Sequence, residues 1–259
     1  MSNEVLYEYN DGIGRITFNR PEARNAFTFR MYERLSEICK SASADPSVKV
    51  LVLSGTDETA FAAGTDISEF RKFSTAQDAL DYEVRINGLL DGLERISIPT
   101  IAAIAGACTG GGSTIAACCD IRIGAANARF GVPIARTLGN CLSMENYVRL
   151  VALLGQARVK DILFTGRLVE AAEARAIGLL SEVLPDYAAL QKRADELART
   201  LASRAPLTLR VTKEALLRIK DQMTPKDDGK MVLTCYMSSD FREGLDAFLN
   251  KRTPKWTGT

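Results

Sequence analysis

The sequence predicts an α/β fold, and three observations predict it. Strand-like and helix-like stretches alternate from residue 5 to residue 119, two of the strands run into glycine-bearing segments, and everything beyond about Pro185 carries helical periodicity alone. With 259 residues, of which 46% are apolar and 25% charged, the chain is long enough to bury the core of one large domain.

The elements follow in order. Residues 5–9 and 14–18 alternate apolar and polar side chains around Asn10-Asp11-Gly12, the signature of two strands joined by a tight turn. Residues 28–44 place Met31, Leu35 and Ile38 on one helical face, with Thr28 available as N-cap. The apolar run at 48–53, ending at Ser54-Gly55, predicts a buried strand. A helix over 75–96 is marked by Leu80, Leu89, Leu93 and Ile96, and a strand over 100–105 follows it. Three glycines, Gly110 to Gly112, then open a helix over 113–119. Beyond Pro185 the periodicity predicts helices at 188–203, 207–219, 229–237 and 240–249, the last with Asp240 and Glu243 spaced as a capping box. No fixed-period repeat, low-complexity run or Gly/Ser linker separates the two parts, so they are expected to pack as one unit.

Composition removes several chemistries. The chain contains no histidine, which excludes a Ser-His-Asp triad, a Cys-His pair, a His-ligated zinc and an imidazole base. Thirty-three Lys and Arg against thirty-two Asp and Glu leave a net charge of +1, so no global field favours nucleic acid or an anionic membrane as partner. The six cysteines form no CxxC pair, and the first residues lack a basic segment followed by an apolar one; a reduced, cytoplasmic protein is expected. The longest apolar stretch, 98–107, contains Pro99 and Gly106 and is far shorter than the ~20 residues of a membrane span.

Two segments following strands can carry chemistry: 61–67, FAAGTDI, and 106–113, GACTGGGS. Successive glycines at a helix start expose backbone N–H groups at the positive end of the helix dipole, the geometry of an oxyanion hole or phosphate cradle. The alternative is that these glycines only let the helix pack closely. The spacing is not GxGxxG, Asp120 follows too soon to reach a ribose, and no Lys follows the glycines, which argues against a nicotinamide site and excludes a Walker loop.

Taken in order, NRPEARNA at 19–26, FAAGTDI, GACTGGG with Cys119-Asp120-Ile121, FGVP at 130–133, FTG at 164–166 and the closing Glu243-Gly244 and FLNKR at 248–252 resemble the enoyl-CoA hydratase/isomerase, or crotonase, family over nearly the whole chain. The resemblance implies a spiral of ββα turns, with residues 1–185 as an acyl-CoA-binding core and 186–259 as a helical trimerisation region. It implies a homotrimer or dimer of trimers, a coenzyme A thioester as substrate and no separate cofactor. It places the two amides that hold the thioester oxygen at Thr65 and Gly111. Coenzyme A contacts map to Arg24, Ala26, Ala63, Asp66, Ile67 and Ser68, and Phe248 and Lys251 match positions that reach a neighbouring subunit's coenzyme A.

The pattern then breaks. The two glutamates that hydratases of this family use correspond to Thr114 and Ile134, so both carboxylates are missing, and Ile134 can neither move a proton nor hold a water. The stretch 134–145 also departs from the family pattern and offers Glu145 as a candidate base, although a Glu near a helix start also serves the helix dipole. Asp66 is read as ordering its loop and Asp120 as structural; Glu69 stands just past the loop, and Tyr147 and Cys141 read as core residues. The expected function is an enzyme acting on an acyl-CoA through an enolate. The alternative is an acyl-CoA-binding protein without hydratase activity.

Overall fold

The computed structural model describes residues 4–223 and 229–259. β1 (Val5–Asn10) and β2 (Ile13–Phe18) form the expected hairpin, with Asp11 and Gly12 both at positive φ, as the tightest right-twisted hairpin turn requires. α1 (Phe29–Ala44) follows, with Thr28 accepting from the Met31 amide as N-cap.

The chain then winds so that each turn lays one strand in each of two sheets and closes with a helix. β3 (Val50–Gly55), β4 (Ala60–Ala62) and α2 (Ala76–Glu94) make one turn; β5 (Thr100–Ile104), β6 (Ala107–Thr109) and α3 (Gly111–Cys118) make the next. β7 (Ile121–Ala125), β8 (Arg129–Gly131) and the short α4 (Ile134–Thr137) complete a third. α5 (Met144–Leu154), α6 (Gln156–Thr165), β9 (Val169–Glu170), α7 (Ala171–Ala176) and β10 (Glu182–Leu184) follow. The larger sheet runs β1-β2-β3-β5-β7-β10 and the smaller β4-β6-β8-β9; the pairs are parallel except β1–β2 and β8–β9.

Every residue of β3 is buried because both faces of the large sheet are covered. Leu51 and Leu53 point into a core shared with Met31, Leu35, Leu90 and Leu93 of α1 and α2. Val50 and Val52 point the other way, against Leu190, Ala194 and Ala198 of α8 (Tyr187–Ala202), whose four-residue spacing lays one apolar stripe on the sheet. α9 (Pro206–Asp221), α10 (Gly229–Tyr236) and α11 (Ser239–Leu249) finish the chain.

One predicted cap is corrected. Ser238 caps α11 by accepting from the Phe241 amide. Asp240 instead accepts from the amides of Thr257 and Gly258, and Glu243 pairs with Arg252, because the C-terminal tail folds back onto this helix. The helices at 144–165, which sequence reading did not assign, pack on each other, α5 also on α3 and α6 on α4.

Candidate active site

The two glycine-bearing segments lie side by side where adjacent strands of the smaller sheet end. Asn25, buried in the loop after β2, accepts from the Arg20 amide and donates to the Ala60 carbonyl, and the Ala63 amide donates to the Arg24 carbonyl. Phe27 then pairs with the next loop on both sides of Thr65: its amide donates to Gly64 O at 2.7 Å, and Asp66 N donates to Phe27 O at 2.8 Å. That pairing leaves the Thr65 amide on the opposite edge of the strand segment, without an acceptor among the described residues.

Gly111 begins α3, so its N–H has no intrahelical acceptor. The backbone reaches it through Gly110, at φ +53° and ψ −122°, a conformation that glycine adopts without a Cβ penalty. A Cβ built on Gly111 would lie 3.3 Å from Thr65 N, so the two amide-bearing residues are immediate neighbours. Gly112 serves the other expectation for this cluster: a Cβ there would sit 2.1 Å from the Ala62 carbonyl oxygen, so glycine sets how closely α3 packs on β4. Beneath both loops Phe18 stacks edge-on against Phe27 and Phe61, and Phe27 in turn packs on Tyr32.

A cavity of about 450 Å³ opens over these amides. Thr65 and Gly111 line it, as do Arg24, Ala26, Ala63, Asp66 and Ile67. Ser68 does not; its amide and hydroxyl donate to Asp66 Oδ1 at 3.0 and 2.7 Å. Burial pushes the Asp66 carboxyl up, but the hydrogen bonds from Ser68 and Arg20 outweigh it and hold the group below the usual carboxylate range. Phe248 lines the cavity of its own chain, because α11 lies flush on α4: a Cβ on Gly244 would meet the Leu138 carbonyl oxygen at 2.3 Å. Lys251 is exposed and outside the lining.

Thr114 and Ile134 both line the cavity, and the Thr114 hydroxyl donates to Gly111 O. Glu145 is not brought there. It stands in the first turn of α5, two residues after the N-cap Ser143, and accepts from Asn87 Nδ2 of α2 at 3.3 Å, so its expected role as base is not supported by its position. Asp120 is structural as read, accepting from the amide and hydroxyl of Thr100 and from Lys213.

The carboxylate that does line the cavity beside Asp66 is Glu83, buried on α2. Tyr236 of α10 donates to Glu83 Oε1 at 2.7 Å, and Asn140 Nδ2 donates to Tyr236 Oη at 3.2 Å, leaving Asn140 Oδ1 buried without a partner. Tyr32 and Tyr82 also line the cavity and both bond Thr65 Oγ1, at 2.9 and 3.4 Å. Burial pushes the Tyr32 phenol up to about 12 and those of Tyr82 and Tyr236 well above the usual range, with the charge of Glu83 adding to the shift in all three. A signal for Glu83 existed in the sequence: Ala79, Glu83, Ile86, Leu90 and Leu93 recur at helical spacing, so a carboxylate occupies a core-facing position.

Among the described residues, no three His, Cys, Asp or Glu side chains are grouped as a metal site requires. No helix among them is long and apolar enough to cross a membrane.

A family model described as enoyl-CoA hydratase/isomerase matches residues 8–259. The chain is 33% identical over 257 residues to a probable enoyl-CoA hydratase, echA8, of Mycobacterium bovis, covering 98% of this chain and 97% of that one. It superposes on an enoyl-CoA hydratase/carnithine racemase from Magnetospirillum magneticum with a TM-score of 0.81 at 34% identity, over 100% and 97% of the two chains. A methylmalonyl-CoA decarboxylase in complex with 2-nitronate-propionyl-CoA superposes with a TM-score of 0.90 at 25% identity, over 99% of both chains.

Proposed function

The chain belongs to the enoyl-CoA hydratase/isomerase family and has the crotonase fold, and from that premise we propose that it stabilises a thioester enolate between the amides of Thr65 and Gly111. It is an acyl-CoA-transforming enzyme. The observation that carries the oxyanion reading is the adjacency of two amide-bearing residues, one on a loop and one at a helix start, both lining the cavity. When a proton leaves the carbon beside the thioester, its electron pair moves onto the carbonyl oxygen, and fixed N–H donors lower the energy of that charge without reorganising. One such donor contributes ~3–4 kcal/mol.

In this reading the Arg24–Ala26 loop, Ala63, Asp66, Ile67 and Ser68 hold the coenzyme A moiety, and the acyl chain enters the cavity towards Ile86 and Leu142. Arg24, exposed at the rim, supplies a cation for phosphate. Phe248 contacts the ligand of its own chain, and Lys251 stands as a phosphate partner across a subunit boundary. Residues 186–259 form the oligomerisation region of a homotrimer or a dimer of trimers. That assignment is supported by Leu207, Val211, Leu216 and Ile219 of α9, each more than half exposed. The enzyme works in the cytoplasm on a coenzyme A thioester, without a separate cofactor.

The test is a proton NMR time course of short- and medium-chain trans-2-enoyl-CoA with the purified protein in deuterated water. Water addition, double-bond migration or deuterium entry at the α-carbon is the expected result. An unchanged spectrum from a thioester that is demonstrably bound favours the acyl-CoA-binding alternative, which Thr114 and Ile134 motivate.

A further inference from the structure

We propose that Glu83, held in place by Tyr236, is the acid–base group that moves the substrate proton in this cavity. The inference rests on the enolate reading above and supplies the proton carrier that reading lacks.

Two carboxylates line the cavity among the described residues, and they are not equivalent. Both oxygens of Asp66 are engaged, one by Ser68 and the other by Arg20 Nη1 at 2.7 Å, and the group serves as N-cap of the turn at Ile67–Lys72. Glu83 lies among phenols and apolar side chains on the wall formed by α2. A carboxylate in the buried stripe of a helix forfeits hydration, and an apolar residue there would fill the same space at lower cost. In the reading above the acyl chain runs towards Ile86, one turn further along the same helix, so a carboxylate at this cavity-lining position points to use of the charge.

The surroundings suit that use. Among the described residues, the phenols whose electrostatics feel Glu83 are Tyr82 on its own helix, Tyr236 from α10, Tyr32 from α1 and Tyr147 from α5. All four phenols are pushed upward, chiefly by burial, so they stay protonated at neutral pH and do not compete with Glu83 as bases. Tyr236 fixes one carboxylate oxygen, and Asn140 fixes Tyr236, which makes Tyr236 a positioning residue.

The step balances without any co-reactant. The Glu83 carboxylate accepts a proton from the α-carbon of an acyl-CoA, or from the γ-carbon of a trans-2-enoyl-CoA. The C–H electron pair forms the new carbon–carbon double bond, and the thioester oxygen takes the negative charge beside Thr65 and Gly111. The resulting carboxylic acid then returns the proton, either to the carbon it left or to the other end of the conjugated system. The outcome is migration of the double bond or, where the carboxylic acid trades its proton with water before returning it, exchange with solvent.

The experiment compares wild type, Glu83→Gln, Glu145→Gln and Tyr236→Phe, using hexanoyl-CoA, trans-2-hexenoyl-CoA and trans-3-hexenoyl-CoA in deuterated water, with circular dichroism as a check on folding. Glu83→Gln is expected to lose at least 10²-fold in exchange and conversion while binding the thioesters within about threefold of wild type. Glu145→Gln is expected to stay within about twofold. Tyr236→Phe removes a donor to the carboxylate, so kcat falls at nearly constant KM and the acid limb of the pH profile moves to higher pH. Wild-type rates in Glu83→Gln, or an acid limb unmoved in Tyr236→Phe, overturn the proposal and leave the enolate reading standing. If wild type neither exchanges nor converts any bound thioester, the reading and the proposal fall together.

Discussion

Arg20 donates from Nη1 to Asp66 Oδ2 at 2.7 Å and from the same nitrogen to the Ala26 carbonyl at 2.9 Å, tying the loop after β2 to the loop that carries Thr65. Both side chains are about four-fifths buried, so this ion pair is shielded from the solvent screening that weakens surface pairs.

Arg20→Met is therefore expected to destabilise the fold by about 1.5–3 kcal/mol and to raise KM for an acyl-CoA more than it lowers kcat. The folded-state pKa of Asp66 is depressed, so its contribution is complete above the unfolded carboxylate value and is lost as the pH falls through the folded one. Urea titrations at pH 6 and pH 3 check this; the gap between wild type and variant is expected to narrow at the lower pH.

Gly111→Pro removes the amide donor at the start of α3, and turnover of an enoyl-CoA is expected to fall 10²- to 10³-fold. A Cβ at this position meets Tyr32 Oη at 2.2 Å, so the substitution is best paired with Tyr32→Phe, measured also alone. Unchanged turnover in a folded double variant would refute the assignment of this amide.

Arg149 of α5 is buried and bonds Asp91 at 2.5 Å, Glu94 at 3.0 Å and Asn146 at 2.9 Å; Lys220 of α9 also reaches Glu94. Arg149→Met leaves the buried Glu94 with less compensation, and a loss of about 3–5 kcal/mol is expected in chemical unfolding. Adding Glu94→Gln is expected to restore part of it.

The cysteines give a labelling prediction. Burial pushes the thiols of Cys39 and Cys118 up to about 12 and raises Cys108 and Cys119 further, so none of these is a nucleophile at neutral pH. Iodoacetamide followed by mass spectrometry is expected to modify the half-buried Cys235 first and the cavity-lining Cys141 more slowly. The other four are expected to react only on unfolding, and rapid native labelling of Cys118 would contradict the packing around α3.

What the sequence determined by itself is local and periodic. The Asn10-Asp11-Gly12 turn needs residues that accept positive φ, Thr28 is a cap residue in front of an apolar stripe, and the four C-terminal helices carry their own periodicity. The order of motifs along the chain pointed to the family, and the two oxyanion candidates fall on the cavity. What only the tertiary structure decided depends on contacts distant in sequence. Three-residue strands such as β4, β6 and β8 have little propensity signal and exist because parallel neighbours complete their hydrogen bonds. Asp240 and Glu243 match a capping box, but residues 252–258 return to claim them. Glu83 meets Tyr236 across 153 residues, and Glu145, at the end of the divergent segment, turns away to Asn87. Spacing along one helix tells which face a side chain occupies; only the packing of that face against α10 tells whether a cavity lies in front of it.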